Sequence, residues 1–181
     1  RPTLADDAPK RIITGTVKSP NGKPVAGADV WMMAAAMPST NLVELGQGKT
    51  DDLGRFQIPW DENAHQTKGH LPPTIWAYHP THGLGRAVMN PPLEWPNTLQ
   101  ELGGNDPDRP ITLTLSTLAE IPLCVLDDAG EFAKGAKAVA VRFEGYTPLA
   151  SMPPAALRNR LSGTTDDLGM VNLLVPTDWT A

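Results

Sequence analysis

Residues 13–33 read I-T-G-T-V-K-S-P-N-G-K-P-V-A-G-A-D-V-W-M-M, and residues 50–58 read T-D-D-L-G-R-F-Q-I. Both stretches recur later in the chain: residues 121–140 read I-P-L-C-V-L-D-D-A-G-E-F-A-K-G-A-K-A-V-A, and residues 165–173 read T-D-D-L-G-M-V-N-L. Aligning Ile13 with Ile121 superposes the turn glycines and the Gly-Ala pairs of the two copies. Because a repeat of this length defines the folding unit, we predict two copies of one unit. The segment between the two repeated stretches, called the excursion below, is longer in the second copy.

The repeated unit has the pattern of a β protein. A short apolar strand leads into a turn at Asn21-Gly22 or Ala129-Gly130, where glycine supplies a positive φ without strain. The Asp-Asp-Leu-Gly turn then leads to a strand that carries Phe56 or Val171 on one face. Further strands are predicted at residues 74–78, 84–89 and 111–116. The chain is therefore predicted to be all-β, and its first copy a small sandwich.

Composition supports this fold class and narrows the partners. The 181 residues include 19 prolines and 16 glycines, which oppose long helices, while 40% hydrophobic residues suffice for packed cores. The sequence contains no apolar run long enough to span a membrane, so direct membrane insertion is not expected. A net charge of −5 disfavours nucleic acid as a partner. Since the chain begins at Arg1 rather than at methionine, we expect it to be a piece of a longer polypeptide.

The repeat also predicts the domain boundaries. The first domain is expected over residues 11–118 and the second over residues 119–181. The second copy has no counterpart of residues 74–116, so we expect either that the polypeptide continues beyond it or that this copy is incomplete and presents an open strand edge. Such an edge offers backbone hydrogen bonds and favours association by strand addition.

The repeated motif resembles the carboxypeptidase regulatory-like domain family, also described as transthyretin-like or prealbumin-like. In the first copy the family pattern falls on Gly15, Gly22, residues 24–28, Gly54 and Phe56. The second copy departs from the pattern, because Leu123 replaces the early glycine and Val171 replaces the aromatic residue.

This resemblance carries expectations about fold and role. It implies tandem immunoglobulin-like β-sandwiches, the second one divergent, of a kind found mostly in secreted or cell-envelope proteins. It also implies a non-catalytic accessory module beside an enzyme or a transporter. The motif residues of that family are structural, so the resemblance supplies no catalytic residue.

The residues that carry chemistry give weaker signals. Of the four histidines, His79 and His82 lie close in sequence, but no cysteine accompanies them, and we expect neither a metal nor another cofactor. The two Asp-Asp pairs could suggest calcium, but turn aspartates that accept backbone amides explain them better. Cys124, the only cysteine, has no neighbouring histidine in the sequence. We therefore predict that the protein is not an enzyme.

Aromatic residues in the later half of the first copy form the candidate ligand or partner patch. Its members are Trp76, Tyr78, His79, His82 and Trp95. Tryptophan and tyrosine combine a large apolar area with a polar group, so such a patch suits a sugar ring or a protein partner. The alternative is that these side chains fill the core or cover it.

The strand at residues 28–33 favours the second explanation. It is apolar on both faces, whereas a sandwich strand usually buries one face only. We therefore expect cover from the excursions at residues 34–49 and 145–163, each on its own copy. In the second excursion, Leu157 and Leu161 follow two prolines at helical spacing and predict a short helix that packs inward.

Together these observations predict a non-catalytic interaction or spacer module in a larger, extracytoplasmic bacterial protein, whether periplasmic, cell-surface or secreted. Its partner would be another protein or the remainder of its own polypeptide. The alternative is a carbohydrate-binding module that holds polysaccharide on the aromatic residues of the first domain.

Overall fold

The elements follow one another as short strands with a single short helix in the described ranges. The computed structural model describes residues 11–35, 42–60, 73–89, 109–140 and 152–177. In chain order the elements are β1 (Arg11–Lys18), β2 (Asp29–Ala35), β3 (Leu42–Lys49), β4 (Arg55–Trp60), β5 (Thr74–His79), β6 (Gly83–Val88), β7 (Ile111–Thr114), β8 (Leu118–Cys124), β9 (Lys137–Ala138), α1 (Ala155–Arg160), β10 (Gly163–Thr164) and β11 (Met170–Pro176). The predicted all-β fold class is confirmed.

Strands β1 to β7 form two sheets. One has the order β4-β1-β7 and the other the order β3-β2-β5-β6. Neighbouring strands are antiparallel except for β1 and β7, which run parallel. The strands predicted at residues 74–78, 84–89 and 111–116 correspond to β5, β6 and β7.

The main core lies between these two sheets. Ile13 and Val17 of β1 point into it, while Thr14 and Thr16 between them are only half-buried, as the two-residue period of a strand requires. Both sheets contribute core residues, including Ile13, Val30, Met32, Phe56, Ile58, Ile75, Ile111 and Leu113. Each large apolar side chain buried in this way stabilises the fold by about 1.5–3 kcal/mol.

One position in β1 requires glycine. A Cβ at Gly15 would collide with the Ile111 carbonyl and with the ring of Phe56, its partner on β4. The corresponding pair in the second copy is Leu123 and Val171. In the first copy the small residue is on β1 and the large one on β4, whereas in the second copy the larger residue is on β8 and the smaller one on β11. This exchange explains why the early glycine and the aromatic residue are both missing in the second copy.

The second copy has the same strand pairing as the first. β8 and β11 pair antiparallel in the register of β1 and β4, and β9 and β10 pair in the register of β2 and β3. The turns match as well: the Val125 N–H donates to the Gly169 carbonyl over 2.9 Å, as the Val17 N–H donates to the Gly54 carbonyl over 2.8 Å. Within the described residues, however, β8 has one neighbouring strand where β1 has two.

The excursions differ from the prediction. Residues 42–49 of the first excursion form β3, which extends the four-stranded sheet, and Leu42 alone among them packs against the aromatic residues of its outer face. The second excursion contains the predicted short helix, α1, with Leu157 and Leu161 buried. These leucines are buried together with aromatic residues of the first copy, and Ala140, Leu174 and Val175 of the second copy pack against the same cluster. The helix therefore covers the first copy as well, which the prediction that each excursion covers its own copy did not include.

Candidate functional site

Most of the candidate patch lies on β5 and on the turn that follows it. Trp76 and Tyr78 point to the outer face of the four-stranded sheet, and Trp31 on β2 lies opposite Trp76. Trp76 is 0% exposed and Tyr78 is 8% exposed, so neither presents its ring face to solvent as a sugar platform must. Trp76 and Tyr78 are therefore buried residues and do not form the exposed sugar platform of the carbohydrate alternative. Trp95 lies outside the described residues.

The second copy covers this aromatic face. The buried residues of the resulting cluster, called the docking cluster below, are Trp31, Met33, Trp76, Tyr78, Leu84, Leu157 and Leu161. Partly buried side chains of β8 and β11, Leu118, Leu174 and Val175, pack against it, as does Leu42 of the first excursion. Trp76 and Tyr78 of the candidate patch thus belong to an internal contact between the two copies.

The cationic side chain of Arg160 lies over two aromatic rings of the docking cluster. The Arg160 guanidinium lies 5.5 Å from the ring centroid of Trp31 and 5.3 Å from that of Tyr78. Arg160 Nη1 also lies 2.6 Å from Asp29 Oδ2, and Lys49 Nζ lies 3.4 Å from Asp29 Oδ1. Cation–π contacts of this kind stabilise by about 0.5–2 kcal/mol, depending on desolvation.

Sequence reasoning did not find Arg160 or Asp29. Arg160 is one of two arginines in the last turn of α1, where any basic residue suits the helix dipole. Asp29 follows the Gly-Ala pair, and Lys137 holds the equivalent place in the second copy. Since these two residues are far apart in sequence, nothing in the chain marks them as a pair.

The two histidines of the patch lie beside each other. The ring centroids of His79 and His82 are 4.8 Å apart, and His79 Nδ1 accepts the Thr81 N–H over 3.2 Å. Partial burial lowers the pKa of His79 below its usual value, and the neighbouring His82 lowers it further. Among the described residues, no group of three or more His, Cys, Asp or Glu side chains is arranged to hold a metal ion. The geometry is that of a hydrogen-bonded turn.

The first aspartate of each Asp-Asp pair accepts backbone N–H groups of its turn, as predicted. Asp51 Oδ1 accepts the N–H groups of Leu53 and Arg55 over 2.9 and 2.8 Å. The Arg55 N–H is the largest of the causes that lower the pKa of Asp51 below its usual value. Asp166 Oδ1 accepts two backbone N–H groups in the second copy in the same way. These two carboxylates therefore stabilise turns by accepting backbone hydrogen bonds.

The threonine that precedes each Asp-Asp pair has a role that sequence reasoning missed. Thr50 is buried, its Oγ1 accepts the Ala28 N–H over 2.8 Å, and the same hydroxyl donates to the Val25 carbonyl over 2.7 Å. Thr165 makes the equivalent contacts with Ala136 and Ala133. The signal was the repetition of threonine at this position in both copies.

Comparison of the chain with models of known protein families, with curated proteins and with solved structures found no match. Among the described residues, no helix has the length and apolar character needed to cross a membrane.

Proposed function

We propose that the chain is a non-catalytic interaction or spacer module made of two tandem sandwich units of the carboxypeptidase regulatory-like type. The matching strand registers and turn hydrogen bonds of the two copies support the tandem arrangement. The non-catalytic role is supported by Thr50, Asp51 and Asp166 of the repeated motif, because their side chains bond the backbone of the motif. The resemblance of the motif supports the further proposal that the module belongs to a larger extracytoplasmic bacterial protein.

The docking of α1 onto the first copy is the observation that carries this proposal. Leu157 and Leu161 are buried in the docking cluster, and Arg160 pairs with Asp29 across the two copies. The connection between the copies is short and is itself hydrogen-bonded, since the Thr177 N–H donates to the Thr117 carbonyl over 2.9 Å. A spacer has to fix the relative position of what it joins, and these contacts supply that property.

A distance measurement between the copies tests the spacer role. Spin labels are attached to the native Cys124 and to a second cysteine introduced as Asp52→Cys, both exposed positions. We expect one narrow distance distribution by pulsed electron resonance. Leu161→Asp, which places a charge in the docking cluster, should broaden it. A broad distribution with the docking cluster intact would overturn the spacer role.

The location is tested separately with the same cysteine. Cys124 is exposed, so a thiol reagent that cannot cross the inner membrane should label it in native cells with a permeabilised outer membrane. Labelling only after the inner membrane is lysed would contradict an extracytoplasmic location.

A further inference from the structure

One edge of β8 has no strand beside it in the described part of the chain. Its equivalent, β1, lies between β4 and β7, whereas β8 pairs with β11. β7 lies parallel to β1 and buries Ile111 and Leu113 in the core. Beside β8, the corresponding position is not filled by any described residue.

The same edge is flanked by exposed apolar side chains. Ile121 is 36% exposed, whereas its equivalent, Ile13, is 0% exposed. Leu123 is 38% exposed on the same face, the one that corresponds to the core face of β1. Proteins normally cover or blunt a strand edge that combines free backbone groups with apolar side chains.

Alternation along β8 and the two residues that follow it, Val125 and Leu126, decides which backbone groups point to this edge. The Val125 N–H donates to Gly169 on the β11 side. Because backbone direction alternates between successive residues, Cys124 and Leu126 direct their N–H and C=O groups to the opposite side. Pro122 also faces that side, but proline has no N–H to donate.

We propose that the edge of β8 with which no described strand pairs binds an extended segment of a partner polypeptide, running parallel to β8 as β7 runs parallel to β1. The segment carries aliphatic residues at alternate positions, like Ile111, Leu113 and Leu115, and these pack beside Ile121 and Leu123. Its backbone pairs with Cys124 and Leu126. This proposal deepens the interaction role given above and rests on it.

A partner strand fits this edge better than a second copy of the chain. β7 is buried in its own core, so another copy cannot donate it without partly unfolding. An antiparallel pair of two β8 strands would place Pro122, which lacks a donor, near the middle of the shared edge. Leu123 stands at the position of Gly15, where the β7 backbone comes unusually close to β1. The Leu123 side chain prevents so close an approach, so the partner strand lies at the regular distance between paired strands.

Hydrogen exchange of the 181-residue chain with a synthetic peptide tests the proposal. The peptide has the sequence of residues 109–117, R-P-I-T-L-T-L-S-T, and the control peptide carries Leu113→Asp. At saturating peptide, exchange of the Cys124 and Leu126 amides should slow by about tenfold or more, as expected for new strand hydrogen bonds. The Leu123 amide faces β11 and should not change. The control peptide should give no slowing.

Cys124→Pro removes the edge N–H without touching the bonds to β11, and should weaken peptide binding by about tenfold or more. Cys124→Ser keeps that N–H and should bind normally, while an unchanged Leu123 amide verifies that each variant is folded. The proposal would be overturned if both peptides slowed exchange of the Cys124 and Leu126 amides equally, or if neither did. It would also be overturned if the chain dimerised with rising concentration and this protected the Cys124 amide without peptide. If the chain does not bind the peptide but still gives a narrow distance distribution between the two spin labels, the spacer role stands and only the strand-binding proposal is lost.

Discussion

At the scale of single residues, Thr50 ties the start of β2 to the Asp-Asp-Leu-Gly turn. Its hydroxyl bonds both Ala28 and Val25, and all these groups are buried. Thr50→Val keeps the shape but leaves a buried N–H and a buried C=O unpaired, so we expect the free energy of unfolding to fall by about 1–3 kcal/mol. Urea denaturation measures this loss.

Thr50→Ser is the matched control, because it retains the hydroxyl and should lose less stability than Thr50→Val. The equivalent Thr165→Val tests the same contact in the second copy. If Thr50→Val were as stable as the unmodified chain, the hydroxyl contacts would not contribute to the fold.

His79 provides a prediction about pH. Burial lowers its pKa, and His82 adds to that effect. Nuclear magnetic resonance titration should therefore give His79 a pKa below its usual value. His82→Gln should raise this pKa part of the way, because burial is the larger cause. An unchanged pKa in His82→Gln would show that the two rings do not interact.

The sign of the effect on stability follows from the same shift. The unfolded chain binds a proton at His79 more readily than the folded chain does, so stability falls as the pH drops below about 6.5 and through the lower folded-state pKa. Above that range the group is neutral in both states and adds no pH dependence. His79→Gln should remove this part of the acid sensitivity.

At the scale of elements, α1 is stabilised by what it packs against. A helix of six residues does not persist in isolation, and Leu157 is 0% exposed in the docking cluster. Leu157→Ala should lower the free energy of unfolding by about 2–5 kcal/mol, the range for a buried leucine. Arg158→Ala, in the same turn but only half-buried, should change it little. Equal losses in thermal or urea unfolding would mean that α1 does not dock through Leu157.

The elements also show where sequence reasoning succeeded and where it stopped. The strands were predictable because two-residue alternation and turn glycines are local signals, and α1 was predictable from two prolines followed by leucines at helical spacing. The packing target of α1 was not predictable, because apolar spacing reveals a buried face without identifying the surface that buries it. The same gap led to Trp76 and Tyr78 being considered as an exposed platform when α1 covers them.

At the scale of the whole molecule, the sequence repeat predicts the shared backbone but not the contact between the copies. Registers match because the same turn residues recur at the same spacing. The ion pair of Arg160 with Asp29 has no counterpart in the repeat, since Lys137 replaces Asp29 in the second copy. Contacts between repeats depend on residues in which the repeats differ, and a single sequence does not show which of these meet.

This contact predicts how the molecule unfolds. The docking cluster takes residues from both copies, so separating them would expose Trp31, Tyr78 and the leucines of α1 to water. Losing that burial makes either copy alone less stable, and we expect one calorimetric transition with equal calorimetric and van't Hoff enthalpies. Leu161→Asp should lower the transition temperature and divide it into two transitions, because it places a charge in the cluster. Asn159→Asp adds the same charge at an exposed position of α1 and should keep a single transition. Two transitions in the unmodified chain would show that the copies fold independently and that their contact contributes little stability.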